Sequence, residues 1–366
     1  MPVFRVKLEF TPVVNELLDQ LPDHVWTSNS TRFLDPAFGG GQFLREIEKR
    51  LRSAGHSQEN INSRVFGCEI TQMRLNWTWD HGRVTSRNLI KSDFLFDTGW
   101  PDMKFDVIVG NPPYQDPTKP NSHNLWCQFV EKSMQLLQVG GHLAFVTPNV
   151  GRRAQVLPLF QNRKVIYYNG HDVKTHFGSV GSTFCAWVIE NSPYSGDLTQ
   201  VKTATGLTSV ELGPHVAFVP LELEPEVLEF MRSMTDQPHK LDVRTDWGYH
   251  SHGKKEWFQD TPTKKFKYKF QNTSSSIKYC SEDHEAIHKK KVICSKSGYL
   301  KPWYDPGKVG VTENSWVIPV SSERKAKIII DFLESEPVKR FVNLATGGNT
   351  LVNDPHIYRM LNSPVY

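Results

Sequence analysis

The stretch RFLDPAFGGGQFLREIEKRLRSAG, Arg32 to Gly55, reads as a strand, a glycine-rich turn and an amphipathic helix. RFLDPA is a short apolar run ending in a turn, and GQFLREIEKRLRSAG carries apolar residues at helical spacing. Glycines at such a turn let backbone approach a ligand closely, and the helix start beyond it offers free N–H groups. Dinucleotide folds cradle a pyrophosphate this way. Here Asp35 stands at the strand end, where it would repel a pyrophosphate but suits a ligand carrying an ammonium group. A glycine-rich turn with no ligand is the competing reading.

Outward from this turn the pattern repeats. RVFGCEI (Arg64–Ile70) is a second buried strand, and Glu69 at its end can accept both hydroxyls of a ribose. In KSDFL (Lys91–Leu95), Asp93 can accept an adenine amino group and Phe94 can stack on the ring. FDVIVG (Phe105–Gly110) is a third strand, and it runs into Asn111-Pro112-Pro113-Tyr114. LWCQFVEKSMQLLQ follows as a helix with Leu125, Phe129, Met134 and Leu137 at core spacing, expected to end at Gly140-Gly141 before the strand HLAFVTP. KVIYYNG (Lys164–Gly170) and STFCAWVIE (Ser182–Glu190) read as two more strands. Strands alternating with helices predict an α/β fold built on a mostly parallel sheet.

Acids at three successive strand ends describe a pocket for an adenosine bearing a charged amino-acid tail. The Asn-Pro-Pro-Tyr turn adds chemistry to that pocket. Its prolines fix φ and stiffen the chain, leaving the side-chain oxygen of Asn111 and the carbonyl of Pro112 to accept hydrogen bonds. An exocyclic amine donates two hydrogens, and its lone pair is delocalised into the ring. Two acceptors holding both hydrogens favour a pyramidal nitrogen whose lone pair can attack a methyl group. Tyr114 supplies a flat face for the base.

Composition excludes several classes. No apolar run approaches the roughly 20 residues of a membrane-spanning helix, so no membrane partner is expected. MPVFRVKLEF lacks a long apolar stretch and a cleavage site, so no signal peptide is expected. The 5 cysteines, scattered without a framework spacing, fit reduced thiols in a cytoplasm. Net charge is only +4, but Lys254 to Lys301 holds 12 lysines against 5 acids, which leaves −3 for the remainder. Within it, KKEWFQDTPTKKFKYKFQ interleaves lysines with aromatic residues, a mix suited to phosphate contacts beside stacking groups. A hairpin with a lysine-rich solvated face is the bland alternative. Cys280, His284, His288 and Cys294 lack a paired Cys-x-x-Cys and enclose Lys289 to Lys291, so no metal is assigned.

The turn-rich NSPYSG (Asn191–Gly196) predicts a boundary between a domain of residues 1–195 and one of residues 196–366. In the second, QNTSSS (Gln271–Ser276) reads as a loop, and SSERKAKIIIDFLESEPVKRFVNLAT reads as helix broken at Pro337.

Over residues 8 to 190 the chain resembles the γ-class N6-adenine methyltransferases of DNA, of type II restriction-modification or phage type. The motif order carries the likeness: Phe10-Thr11-Pro12, the Asp35 turn with Gly39 to Gly41, Glu69, Asp93-Phe94, and Asn111 to Tyr114. The resemblance implies a Rossmann-like class I methyltransferase domain followed by an α+β target-recognition domain. The cofactor it implies is S-adenosyl-L-methionine, bound by Thr11, Asp35, Gly39, Gly41, Glu69, Asp93, Phe94 and Phe129. The partner it implies is double-stranded DNA, met by a monomer. Asn111, Pro112, Pro113 and Tyr114 would act on an adenine turned out of the duplex. A second aromatic on the far side of that base is matched by Phe177, with Phe184 as the fallback. Phe38-Gly39-Gly40-Gly41 departs from the family's Cys-Gly-Ser-Gly, so altered packing at the turn is expected. His171, Asp172 and His176 are read as surface or supporting residues, because amine methylation needs no strong base. RNA adenine methylation stays open, as do cytosine N4 or glutamine amide methylation and a DNA-binding role with an inactive cofactor site.

Overall fold

Phe33-Leu34-Asp35 has fully buried residues throughout because helices cover both of its faces. The computed structural model describes residues 11–81, 84–96, 103–116, 124–177, 183–253, 255–296, 301–347 and 353–365. Contacts divide the chain into two units, Met1–Leu228 and Glu229–Tyr366.

In the first unit, helices Thr11–Leu18 (α1) and Asp23–Thr27 (α2) precede strand Phe33–Asp35 (β1). Helices Gln42–Ser53 (α3) and Gln58–Arg64 (α4) lead to Val65–Glu69 (β2), and Gln72–Asp80 (α5) leads to Asn88–Lys91 (β3). Phe105–Gly110 (β4), Leu125–Leu136 (α6), Leu137–Pro148 (β5), Leu157–Asn162 (α7) and Arg163–Asn169 (β6) follow. Phe184–Pro193 (β7), Leu198–Thr203 (β8) and Gly206–Glu211 (β9) complete a sheet of order β3-β2-β1-β4-β5-β7-β6-β8-β9. Pairings from β3 through β5 are parallel, and β7 runs antiparallel to both β5 and β6. This is the α/β class I arrangement expected from the sequence.

The period of two sorts side chains into two cores. Leu34, Ile108, Leu143 and Phe145 join Trp126, Phe129 and Val130 of α6 on one face. Phe33, Val107, Val109, Ala144 and Val146 join Val14 and Leu17 of α1 and Leu44 and Ile47 of α3 on the other. Parallel register brings Asp35, Glu69 and Gly110 to one edge of the sheet, and strand order reverses there between β1 and β4. Open α/β sheets bind ligands outside such a reversal.

Two expectations are corrected here. α6 stops at Leu136, and Gly140-Gly141 lies inside β5. The register jumps from Phe105↔Leu137 to Val107↔His142, so the glycines form a bulge, with Gly140 at φ +76. The fully buried face of α6 is Trp126, Val130 and Ser133, while Leu125 and Met134 are only partly buried. The boundary near residue 195 moves to Leu228, because β8 and β9 extend the sheet through parallel pairing of β8 with β6. Turn-rich Asn191–Gly196 is thus a connection within one unit.

Helix Pro225–Thr235 (α8) spans the division. The second unit is α+β. Its strands are Gly248–Tyr249 (β10), Phe258–Gln259 (β11), Tyr268–Gln271 (β12), Ile277–Cys280 (β13), Lys291–Ser295 (β14), Trp303–Asp305 (β15), Gly310–Thr312 (β16) and Ser315–Pro319 (β17). They form sheets of order β10-β16-β12-β13-β11 and β15-β14-β17. Helices Glu323–Leu333 (α9), Glu336–Thr346 (α10) and Pro355–Tyr358 (α11) follow. Pro337 sits in the first turn of α10, where its missing N–H costs nothing, so the break falls just before it. Lys291 is buried against Asp305 at 2.6 Å and donates to three backbone carbonyls, which removes it from the lysines available to a polyanion. Lys264, Lys265, Lys267 and Lys269 are exposed, whereas Phe266 and Tyr268 are half-buried. Lys254 lies outside the described residues.

Candidate active site

The turn after β1 is held by bonds to the Asp35 side chain, to β2 and within its own backbone. Ala37 N–H donates to Asp35 Oδ1 at 3.1 Å, Phe38 N–H to the Cys68 carbonyl at 3.1 Å, and Gly41 N–H to the Phe38 carbonyl at 2.7 Å. Gly41 has φ +72 at the cap of α3, and a Cβ there would lie 2.9 Å from Val84 Cγ2, so glycine is required twice over. Phe38 is buried over Gly67 of β2, whose missing side chain leaves room for the ring: a Cβ would lie 2.7 Å from Phe38 Cδ1.

Asp35 is buried, and its pKa is pushed up to about 8. Loss of solvent is the main cause, the Ala37 N–H opposes it, and the Glu69 charge adds to it. A buried carboxyl beside a second carboxylate favours a cationic ligand. Glu69, also buried, is fixed by four groups. Thr71 gives Oε1 its N–H at 3.0 Å and its hydroxyl at 2.9 Å, and Gly39 N–H reaches Oε2 at 3.1 Å. Arg74 stands 3.7 Å from Oε2.

These strand ends open on a cavity of about 700 Å³, within the range of small-molecule sites. Glu69, Asp93, Phe94, Asn111, Pro112, Pro113, Tyr114 and Phe129 all line it. Asp93 Oδ1 accepts the Leu95 N–H at 3.1 Å, shaping the turn after β3. Phe94 and Phe129 stack with centroids 5.3 Å apart, and Lys132 donates to the Leu95 carbonyl at 2.9 Å from behind that wall. A cavity lined by the acids Glu69 and Asp93 and by the rings of Phe94 and Phe129 suits an adenosine.

Asn111 follows β4 directly, and Tyr114 folds back so that its hydroxyl donates to Asn111 Oδ1. Burial pushes the Tyr114 phenol well up, so it remains a donor. The Tyr114 ring lies 5.2 Å from Phe184, and Phe184 stacks on Phe177 at 4.3 Å. Phe184 therefore touches both aromatics expected to face a base, and it is itself fully buried.

Thr11, Asp35, Gly39, Gly41 and Phe177 are not among the lining residues. Thr11 begins α1, Asp35 is buried at the end of β1, and Gly39 acts through its N–H on Glu69. Phe10 lies outside the described residues. Sequence reasoning missed Ile70, Arg74, Phe96 and Asp116 in the lining. Ile70 and Phe96 are exposed large apolar residues, at 59% and 86%, and no period marks them. Cys280 is buried, His284 accepts from the Ala286 N–H and His288 pairs with Asp283 at 2.9 Å, and among the described residues no group of potential ligands could hold a metal. No helix among the described residues is long and apolar enough to cross a membrane.

Residues 47–166 match the family model of the Eco57I restriction-modification methylases. Modification methylase CviBIII of Paramecium bursaria Chlorella virus NC1A is 27% identical over 216 residues, covering 52% of this chain and 51% of the relative. Type II methyltransferase M.TthHB8I of Thermus thermophilus is 32% identical over 142 residues, covering 32% of this chain and 29% of the relative. The chain thus spans about half the length of the first relative and less of the second. Among solved structures, the ATP-dependent Type ISP restriction-modification enzyme LlaBIII bound to DNA aligns with 84% of this chain and 34% of its own, at TM-score 0.52 and 10% identity, a likeness of fold. The family match and these relatives agree with the resemblance carried by the motifs, and S-adenosylmethionine is the expected cofactor.

Proposed function

We propose that the chain transfers the methyl group of S-adenosylmethionine to N6 of an adenine turned out of duplex DNA. One observation carries the reading: Asn111 and Pro112, an acceptor pair for an amine, line the same cavity as Glu69, Asp93, Phe94 and Phe129. The cofactor, when bound, supplies an electrophilic methyl on a sulfonium. Glu69 would hold the ribose hydroxyls and Asp93 the adenine amine, and the buried carboxyl of Asp35 would favour the ammonium end. Asn111 Oδ1 and the Pro112 carbonyl would accept the two hydrogens of the target amine and leave its lone pair free for the methyl group that the cofactor would supply. The extra proton on the methylated nitrogen would leave to water. Catalysis is then mainly positioning, and extrusion of the base costs a few kcal/mol.

We assign DNA reading to residues 229–366. Exposed Lys264, Lys265, Lys267 and Lys269 beside Phe266 and Tyr268 support this reading, as does the LlaBIII enzyme, which was solved bound to DNA. Labelled methyl transfer to unmethylated duplex DNA and to RNA tests it. Transfer to DNA is expected, and transfer to RNA alone would overturn it.

A further inference from the structure

His171 and Asp172 found no use in the reaction above, yet they belong to a polar cluster fed by the added strand β8. Lys202 Nζ lies 2.8 Å from Glu16 Oε2 of α1 and 2.9 Å from Asp172 Oδ2. Glu16 Oε1 accepts the Tyr167 hydroxyl at 2.9 Å and the side-chain amide of Asn169. That amide, fully buried at the end of β6, also donates to Asp172 Oδ1 at 2.8 Å, while Asn169 Oδ1 accepts the His171 N–H at 3.0 Å. Asp172 begins the next turn: its carbonyl accepts the Thr175 N–H at 3.0 Å and the Thr175 hydroxyl at 2.6 Å.

The chain between Asn169 and Phe177 is therefore pinned at its start. Gly170 is pressed on the Leu221 carbonyl so closely that a Cβ would lie 1.9 Å from its oxygen. The 3-10 helix Val173–Phe177 continues from the pinned turn and ends on the ring that stacks on Phe184, next to Tyr114. The same lysine holds α1, whose first residue is Thr11. Both acids and the lysine are about one-third exposed or less, at 17%, 34% and 32%. Ion pairs of that exposure contribute little to stability. Their effect here is geometric, because one ammonium joins two segments that approach the site from separate parts of the chain.

We propose that Lys202 is a positioning residue for methyl transfer, setting the loop that carries Phe177 relative to α1 through Asp172 and Glu16. The proposal rests on the reading of Asn111 to Tyr114 given above. β8 lies outside β1 to β4, whose ends line the cavity, so the extension of the sheet gains a role in the reaction.

The test uses the full chain, tritiated S-adenosylmethionine and unmethylated bacterial DNA. Lys202→Met is expected to lower kcat by roughly tenfold to a hundredfold, the scale of small misplacements at a reacting centre. KM for the cofactor should stay within about twofold, and Lys202→Arg should recover most of the loss. Hydrogen exchange should rise in residues 170–177 and not in residues 229–366. Asp172→Asn keeps the shape of the turn and provides a second variant should Lys202→Met fold poorly; its kcat should fall in the same way. Wild-type kcat in both variants would overturn the proposal. So would a fall in kcat that Lys202→Arg leaves unrepaired and that follows a general loss of thermal stability. If the unaltered protein methylates no DNA, the functional reading fails first and the proposal falls with it.

Discussion

The Tyr114 hydroxyl donates to the side-chain oxygen of Asn111, the atom assigned to receive a hydrogen of the target amine. An amide oxygen has two acceptor sites, so Tyr114 can orient Asn111 while leaving room for the base. Tyr114→Phe keeps the flat face and removes this donor. Steady-state kinetics should show kcat lowered by about threefold to tenfold, matching one hydrogen bond of about 1 kcal/mol, with KM for DNA little changed. A loss as large as that of Tyr114→Ala would mean that the hydroxyl itself takes part in the reaction.

Glu69→Ala should weaken cofactor binding by roughly 1.5–3 kcal/mol, the worth of hydrogen bonds to a charged group. Calorimetry measures this directly, with thermal melting as the control, since Glu69 also holds Gly39 and Thr71. An unchanged dissociation constant would place the ribose elsewhere.

Asp35 gives the site a pH dependence. Its folded pKa of about 8 exceeds the unfolded value of roughly 4, so the ligand-free native state binds the extra proton between them. Stability should therefore fall as pH rises from about 4 to about 8 and level off above. A cation seated at Asp35 expels that proton, so cofactor affinity should rise with pH, by up to about tenfold per unit, and flatten near pH 8. Asp35→Asn should remove both trends. Dissociation constants that stay flat from pH 6 to 9 in the unaltered protein would contradict this assignment.

Lys264, Lys265 and Lys267 are exposed, and two of them sit over their neighbouring rings: Lys265 lies 5.4 Å from Phe266 and Lys267 lies 5.0 Å from Tyr268. Replacing all three by Ala should reduce the slope of log affinity against log salt by roughly 2–3. Binding should weaken similarly on all duplex sequences, since phosphates carry no direct code. A fluorescence anisotropy titration with an unaltered slope would make these lysines a solvated face.

The strand ends around the cavity were legible because their signals are local. Asp35, Glu69, Asp93 and Asn111 each follow a short apolar run, and strand ends in a parallel sheet share one edge. What escaped depends on contacts far apart in sequence. β8 shows the alternating burial of a strand with one covered face, but nothing local says that it pairs in parallel with β6. Gly140-Gly141 carried the signature of a helix end and instead forms a bulge beside Asp106, against whose carbonyl only a residue without a Cβ fits. Lys291 counted as part of a basic surface until Asp305, 14 residues on, drew it into the core. Arg74 reaches the cavity from a helix whose sequence shows little apolar pattern.

The central claim concerns one atom. Duplex DNA from cells lacking adenine methylation, treated with the protein and S-adenosylmethionine and digested to nucleosides, should yield N6-methyldeoxyadenosine by mass spectrometry. Asn111→Ala should yield none while binding the cofactor within about tenfold of the unaltered protein. N4-methyldeoxycytidine in place of the adenine product, or full methylation by Asn111→Ala, would contradict the account.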